Sequence, residues 1–159
     1  MDDRRPRGLT LPELLVTLAL IGVLVSAGVP ALQEAIRNAR LRGAAQAAAD
    51  ALRATRAEAI RLGRPLSLDF LAPAPADWCL STTGACGCDP GCAADYPGTQ
   101  LAEARFGRTT AARFSPLRGL ARAGHVRFRS AGGRSLTVVV SALGRIRLCS
   151  DDLPGYPPC

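Results

Sequence analysis

Hydrophobic and polar positions follow three different rhythms along the chain. From Leu14 to Gln33 (LLVTLALIGVLVSAGVPALQ) no charged residue occurs for 20 positions, with Glu13 and Glu34 as the boundaries. As a helix rising about 1.5 Å per residue, the run is about 30 Å long, the thickness of a hydrocarbon core. No second apolar segment is present to cover it as a core helix. A cleavage site should follow the apolar stretch, and Ala27 and Val29-Pro30 make a poor small-residue site, so a removed signal peptide fits less well than a retained membrane span. Beyond Glu34 the rhythm becomes amphipathic. Leu41, Ala45, Ala48, Leu52, Thr55, Ala59 and Leu62 recur at alternating spacings of 4 and 3, the seam of one helical face. Arg42, Gln46, Arg53, Arg56 and Arg61 lie off that stripe, and Gly63-Arg64-Pro65 is a helix stop. The pattern predicts one helix from about Leu9 to Leu62, its first half in lipid and its second half packed on a head. Pro30, with Gly22 and Gly28, predicts a kink or locally melted stretch on the way.

From residue 64 onward the period shortens to that of strands. Residues 65–71 (PLSLDFL) alternate and read as a first strand, which Pro73 and Pro75 break. Residues 78–98 read as a cysteine-rich loop. Further strands are expected at 125–130, 135–141 and 145–149, with turns at Gly132-Gly133 and Leu143-Gly144. Antiparallel pairing of these strands against the amphipathic half of the helix makes the class α+β. The domain reading is a leader at 1–8, a transmembrane segment at 9–33, an amphipathic helix at 34–62 and a β-rich head at 63–159.

Composition narrows the chemistry. The chain has 159 residues and a formal net charge of +7, and all 20 basic side chains are Arg. The lack of Lys removes Schiff-base, phosphate-loop and lysine-base mechanisms. A single His, His125, removes multi-histidine metal sites. No paired carboxylates or triad stand out, so the reading is of a non-enzyme without a cofactor.

The N-terminus is specific. Arg4, Arg5 and Arg7 precede Gly8, and a basic leader stays cytoplasmic, which sends the remainder outward. Gly8-Leu9-Thr10-Leu11-Pro12-Glu13 then runs straight into the apolar helix. This resembles a type IV prepilin or pseudopilin. The resemblance implies cleavage after Gly8 by prepilin peptidase, methylation of the new amino terminus at Leu9, and Glu13 as the fifth mature residue. Leu9 departs from the Phe usual at the first mature position. Glu13 carries a physical argument of its own: a carboxylate at the hydrocarbon edge needs a partner, and the nearest is the ammonium that cleavage creates at Leu9. In the family that amine belongs to a neighbouring subunit and sets filament register. Pro12 suits the first helical turn, where its missing N–H is harmless.

Six cysteines imply an oxidising compartment. Cys149–Cys159, closing the Pro-rich tail, is the first pairing expected. Cys79 with Cys86 or Cys88, and Cys92 with the other, is the second. A four-thiolate zinc site is the alternative, although Cys79, Cys86, Cys88 and Cys92 lack a clean C-x-x-C pair.

Between Glu103 and Asp151 lie 47 residues without an acidic side chain and with ten arginines: Arg105, Arg108, Arg113, Arg118, Arg122, Arg127, Arg129, Arg134, Arg145 and Arg147. A one-signed field of this kind attracts polyanions, and Arg allows bidentate phosphate contacts. Strand alternation puts Arg127 with Arg129, and Arg145 with Arg147, on shared faces. Gly144 beforehand leaves room for a phosphate backbone to come close. Gly144-Arg145-Ile146-Arg147 resembles the GRxR signature of FimT-type minor pilins, relatives of the GspH pseudopilins of type II secretion. That resemblance implies a type IV pilin-like fold and binding of double-stranded DNA for uptake in natural transformation. Its expected site is Gly144, Arg145, Arg147, Arg127, Arg129 and Arg134. The expected partners are duplex DNA, other pilin subunits, prepilin peptidase and the inner membrane, with the head periplasmic, or extracellular in an assembled pilus. A field that meets an acidic subunit or anionic lipid, in a purely structural pseudopilin, is the competing reading.

Overall fold

The computed structural model describes residues 10–159 and is α+β: one long helix, then eight strands in two antiparallel sheets. Gly8 and Leu9, with the rest of the expected leader, lie outside the described residues. Helix α1 covers Leu11–Leu62. Residues up to Ala35 form one unit, and Ile36–Cys159 a second.

In the first unit Leu14, Leu18, Ile21 and Leu24 of the helix are exposed. The mean hydropathy over its most apolar window is 2.3. The hydroxyls of Thr17 and Ser26 donate to the Leu14 and Val23 carbonyls at 2.9 and 2.8 Å, so neither needs water. Pro12 and Glu13 fall in the first turn, as expected. The helix runs through Pro30 without a break, so the expected melted stretch is absent among the described residues. A proline removes one hydrogen bond of the ladder, and the helical residues on both sides keep theirs.

The second unit is built around the buried face of α1. Leu41, Ala45, Ala48, Leu52 and Ala59 are fully buried and Thr55 nearly so, while Leu62, the last position of the seam, stays 40% exposed. Alanines dominate this face, which lets the sheets approach the helix axis closely. Strands β1 (Leu66–Ala74), β2 (Asp77–Ser81), β3 (Gly91–Cys92) and β5 (Ala111–Phe114) form one sheet in the order β3-β2-β1-β5. Strands β4 (Thr99–Arg105), β6 (Gly124–Ser130), β7 (Ser135–Val140) and β8 (Ile146–Cys149) form the other, ordered β4-β6-β7-β8. Their inner faces bring Leu68, Phe70, Leu80 and Phe114 together with Phe106, Val126, Phe128, Leu136 and Val138 in one core. Trp78 links the sheets: its indole N–H donates to the Thr99 carbonyl at 3.0 Å and its ring meets Phe128 edge-on at 5.0 Å.

Two expectations about strands are corrected. Prolines do not end β1 at Leu71; it continues to Ala74, with its register against β2 shifted between Leu71 and Ala74. An irregular, outer stretch of this kind is where a strand tolerates proline. The cysteine-rich segment is not all loop either, since Cys79 of β2 and Cys92 of β3 are paired within the sheet.

All six cysteines pair, as Cys79–Cys86, Cys88–Cys92 and Cys149–Cys159. No thiolate is left for zinc.

Candidate functional site

Antiparallel register decides which arginines share a surface. In β6, Val126 and Phe128 are buried, which sends His125, Arg127 and Arg129 to the outer face. Across the sheet, Arg105 of β4 stands opposite His125, His125 opposite Val139 of β7, and Val139 opposite Arg147 of β8. The next row runs Glu103, Arg127, Thr137 and Cys149, and the third runs Gln100, Arg129 and Ser135. The outer face therefore presents Arg105, Arg127, Arg129 and Arg147 within a patch three rows deep. Arg105, Arg129 and Arg147 are exposed and have no ion-pair partner among the described residues.

Arg127 is different. Glu103 lies 3.8 Å from its guanidinium and 3.4 Å from His125 Nε2, and Arg127 Nε donates to the Thr137 hydroxyl at 3.4 Å. The acid-free stretch of sequence is thus not acid-free in space, because β4 delivers Glu103 into the middle of the basic face. Arg127 keeps its place on the face but with a counter-charge beside it.

Arg145 and Gly144 belong to the β7–β8 turn. Ser141 N–H donates to the Arg145 carbonyl at 2.9 Å, and the Gly144 N–H to the Ser141 carbonyl at 2.9 Å, closing the turn. Arg145 is exposed and lines a depression of about 430 Å³ together with Arg53, Arg56, Ala57 and Ile60 of α1. Arg147, two residues on, does not line it. Arg134 occupies the β6–β7 turn, half-buried, at the opposite end of β7. Its distance from Arg145 is thus on the order of 20 Å, the length of a six-residue strand.

Gly144 calls for a correction. It has φ +73°, it is buried, and a Cβ there would stand 2.2 Å from the Gly119 carbonyl oxygen and 2.7 Å from Arg56 Nε. The space that its missing side chain leaves is filled by protein, not held open for a ligand. Arg56 Nε also donates to the Gly119 carbonyl at 3.0 Å, and Ala121 N–H to the Ala142 carbonyl at 3.0 Å. Helix, β5–β6 loop and β7–β8 turn are thereby locked together under Arg145.

The ten arginines do not all converge. Arg113 and Arg122 line a separate hollow of about 610 Å³ beside β5 with Ser67 and Ser115. Arg118 sits in the β5–β6 loop at φ 63°. Sequence reasoning missed Arg105, which a bulge in β4 hides from simple alternation, and Arg53 and Arg56, whose helical stripe carried no sign of what they would face.

Comparison with known proteins agrees with this architecture. The model of the family described as type II transport protein GspH matches residues 44–144, more than half of the chain. The prokaryotic N-terminal methylation motif matches residues 3–29. No curated protein and no solved structure matches. The apolar N-terminal helix and this motif fit a single-pass inner-membrane anchor with a periplasmic head. Pilins and pseudopilins are structural, non-enzymatic subunits, and the long helix followed by antiparallel sheets is the type IV pilin arrangement. The chain belongs to the GspH family of type IV pilins and pseudopilins.

Proposed function

We propose that this subunit is a minor pilin whose head binds double-stranded DNA through arginine–phosphate contacts, serving DNA uptake in natural transformation. The observation that carries the reading is the exposed set Arg105, Arg129, Arg145 and Arg147, on one sheet face and its adjoining turn, none of which makes an ion pair among the described residues. Uncompensated guanidinium groups repel one another in the folded state, and a polyanion relieves that cost. Guanidinium groups bind phosphate oxygens bidentately, so contacts of this kind position a duplex without reading its sequence. Phe106, Phe114 and Phe128 are fully buried and offer no stacking surface to a base. Duplex backbone is therefore favoured over stacked single strands. Leader cleavage after Gly8, methylation at Leu9 and pairing of Glu13 with a neighbouring subunit's amino terminus serve assembly, and an assembled pilus carries the head outside the cell.

A gel shift of the full chain in non-ionic detergent tests this. Two duplexes of equal length and unrelated sequence should bind alike, and Arg145→Gln/Arg147→Gln should weaken both by the same factor. Unchanged binding by that variant removes the two residues from the site.

The family description, a type II transport protein, favours one further reading. This is a structural pseudopilin in which the arginines meet acidic protein surfaces and never DNA. It predicts that Arg145→Gln/Arg147→Gln leaves cellular function intact while Glu13→Ala abolishes assembly.

A further inference from the structure

The depression between α1 and the β7–β8 turn holds three guanidinium groups far apart in sequence: Arg53, Arg56 and Arg145. Arg56 is the half-buried one. Its Nε is committed to the Gly119 carbonyl at 3.0 Å and its stem packs where a Gly144 side chain would be. Its two Nη groups make no hydrogen bond among the described residues. They leave up to four N–H donors on a guanidinium already held in one orientation. A donor group fixed in advance loses little conformational freedom on binding, which is the main cost of using a long side chain.

Arg53 stands one turn earlier on the same helical face. Its Nη1 contacts Asp50 at 2.6 Å, and Asp50 also accepts from Gln46 at 3.1 Å. Asp50 does not line the depression, so the pair aims Arg53 from one side and leaves its other N–H groups directed elsewhere. Arg145 completes the set from the turn. Ala57, Ile60, Leu143 and Ile146 make the rest of the lining apolar, so the three guanidinium groups are its polar contribution.

We infer that Arg53, Arg56 and Arg145 form a seat for one phosphate oxyanion of a nucleic-acid backbone, extending the basic surface from the outer sheet face around the β7–β8 turn onto α1. This rests on the duplex-binding reading and adds two helix residues to it. The seat has room for a tetrahedral phosphate and for the sugar beside it, which the exposed side chain of Leu143 can cover.

The test is fluorescence anisotropy with a labelled duplex of about 30 base pairs, long enough to cover the basic surface. The proteins are the full chain in non-ionic detergent and its Arg53→Gln, Arg145→Gln, Arg53→Gln/Arg145→Gln and Arg61→Gln variants. Arg61 is the matched control: it is exposed on the same helix, paired with Glu58, and outside the depression. Arg53→Gln should weaken binding about tenfold, as loss of a charge-assisted hydrogen bond does. Arg61→Gln should change it less than about twofold, the screened effect of a distant charge. The double variant should lose less than the product of its single losses, because both arginines hold the same phosphate. Equal effects of Arg53→Gln and Arg61→Gln would overturn the seat while leaving duplex binding intact. Failure of the unaltered chain to bind would overturn the duplex reading and the seat with it. Inorganic phosphate, exchanged for chloride at constant ionic strength, separates the two sources of the oxyanion. Resistance of the complex to phosphate supports the backbone assignment, and displacement by low concentrations of it would assign the seat to the free ion.

Discussion

Gly144 and Arg145 are neighbours whose parts in the site are different. The glycine is fixed by packing against Gly119 and Arg56 at a left-handed φ, while the arginine beside it is exposed. Gly144→Ala should therefore destabilise the whole second unit by about 2–3 kcal/mol, since left-handed strain and a backbone clash act together. Thermal unfolding followed by circular dichroism measures this, and an unchanged midpoint would refute the packing role. Arg145→Gln should leave that midpoint in place, because the side chain has no hydrogen bond or ion pair to lose among the described residues. At this scale the sequence reading takes Gly144 for an opening to a ligand, and the fold fills that space with Gly119 and Arg56. A G-R-x-R string is legible in the sequence, whereas a contact with a carbonyl 25 positions away is not. Arg127 illustrates the same limit, because Glu103 reaches it only through the β4–β6 register.

Among the elements, the C-terminal tail shows how short-range chemistry finishes the basic sheet. Cys149–Cys159 closes a loop of 10 residues, and Leu153 is buried beneath it. Loop-closure entropy gives such a bridge about 2.7 kcal/mol, against about 1.9 for the shorter Cys88–Cys92 loop. Cys149→Ser/Cys159→Ser should thus lower the unfolding midpoint more than Cys88→Ser/Cys92→Ser does, and the reverse order would contradict the entropic account. Asp152 ties the tail to β7, accepting from the Ser135 N–H at 3.0 Å and from the hydroxyls of Ser135 and Ser150 at 3.1 Å. Partial burial pushes its carboxyl up, but the Ser135 N–H and the two serine hydroxyls outweigh that and hold it below the usual 3.8. A depressed carboxylate stabilises the fold fully above its unfolded value and loses that contribution as pH falls through the folded one. Asp152→Asn should then cost about 1 kcal/mol at neutral pH and flatten the loss of stability below about pH 4. Equal acid sensitivity of the variant and the unaltered chain would contradict this. The helical seam and strands β6 and β8 were legible because each keeps its period, and β7 because its β-branched run Thr137–Val140 sits between turn signals. Strands β2 and β3 were hidden, since two residues of β3 and a disulfide-rich connection carry no alternation to read.

For the molecule as a whole, membrane span and basic sheet were legible in the sequence, as a charge-free run and an acid-free run. The fold redistributes the second of these. Four arginines go to the outer face of one sheet, Arg145 to the depression beside α1, and Arg113 with Arg122 to another hollow. The account centres on the sheet face and its turn meeting DNA phosphates. The salt dependence of duplex binding tests this most directly, because each released counterion leaves a measurable slope. For four to six contacts the logarithm of the binding constant should fall against the logarithm of salt with a slope of about −4 to −5. In Arg145→Gln/Arg147→Gln the slope should shallow by about two units, one per lost phosphate contact. A slope that is the same in both proteins, or a chain that binds no duplex at low salt, would contradict the account.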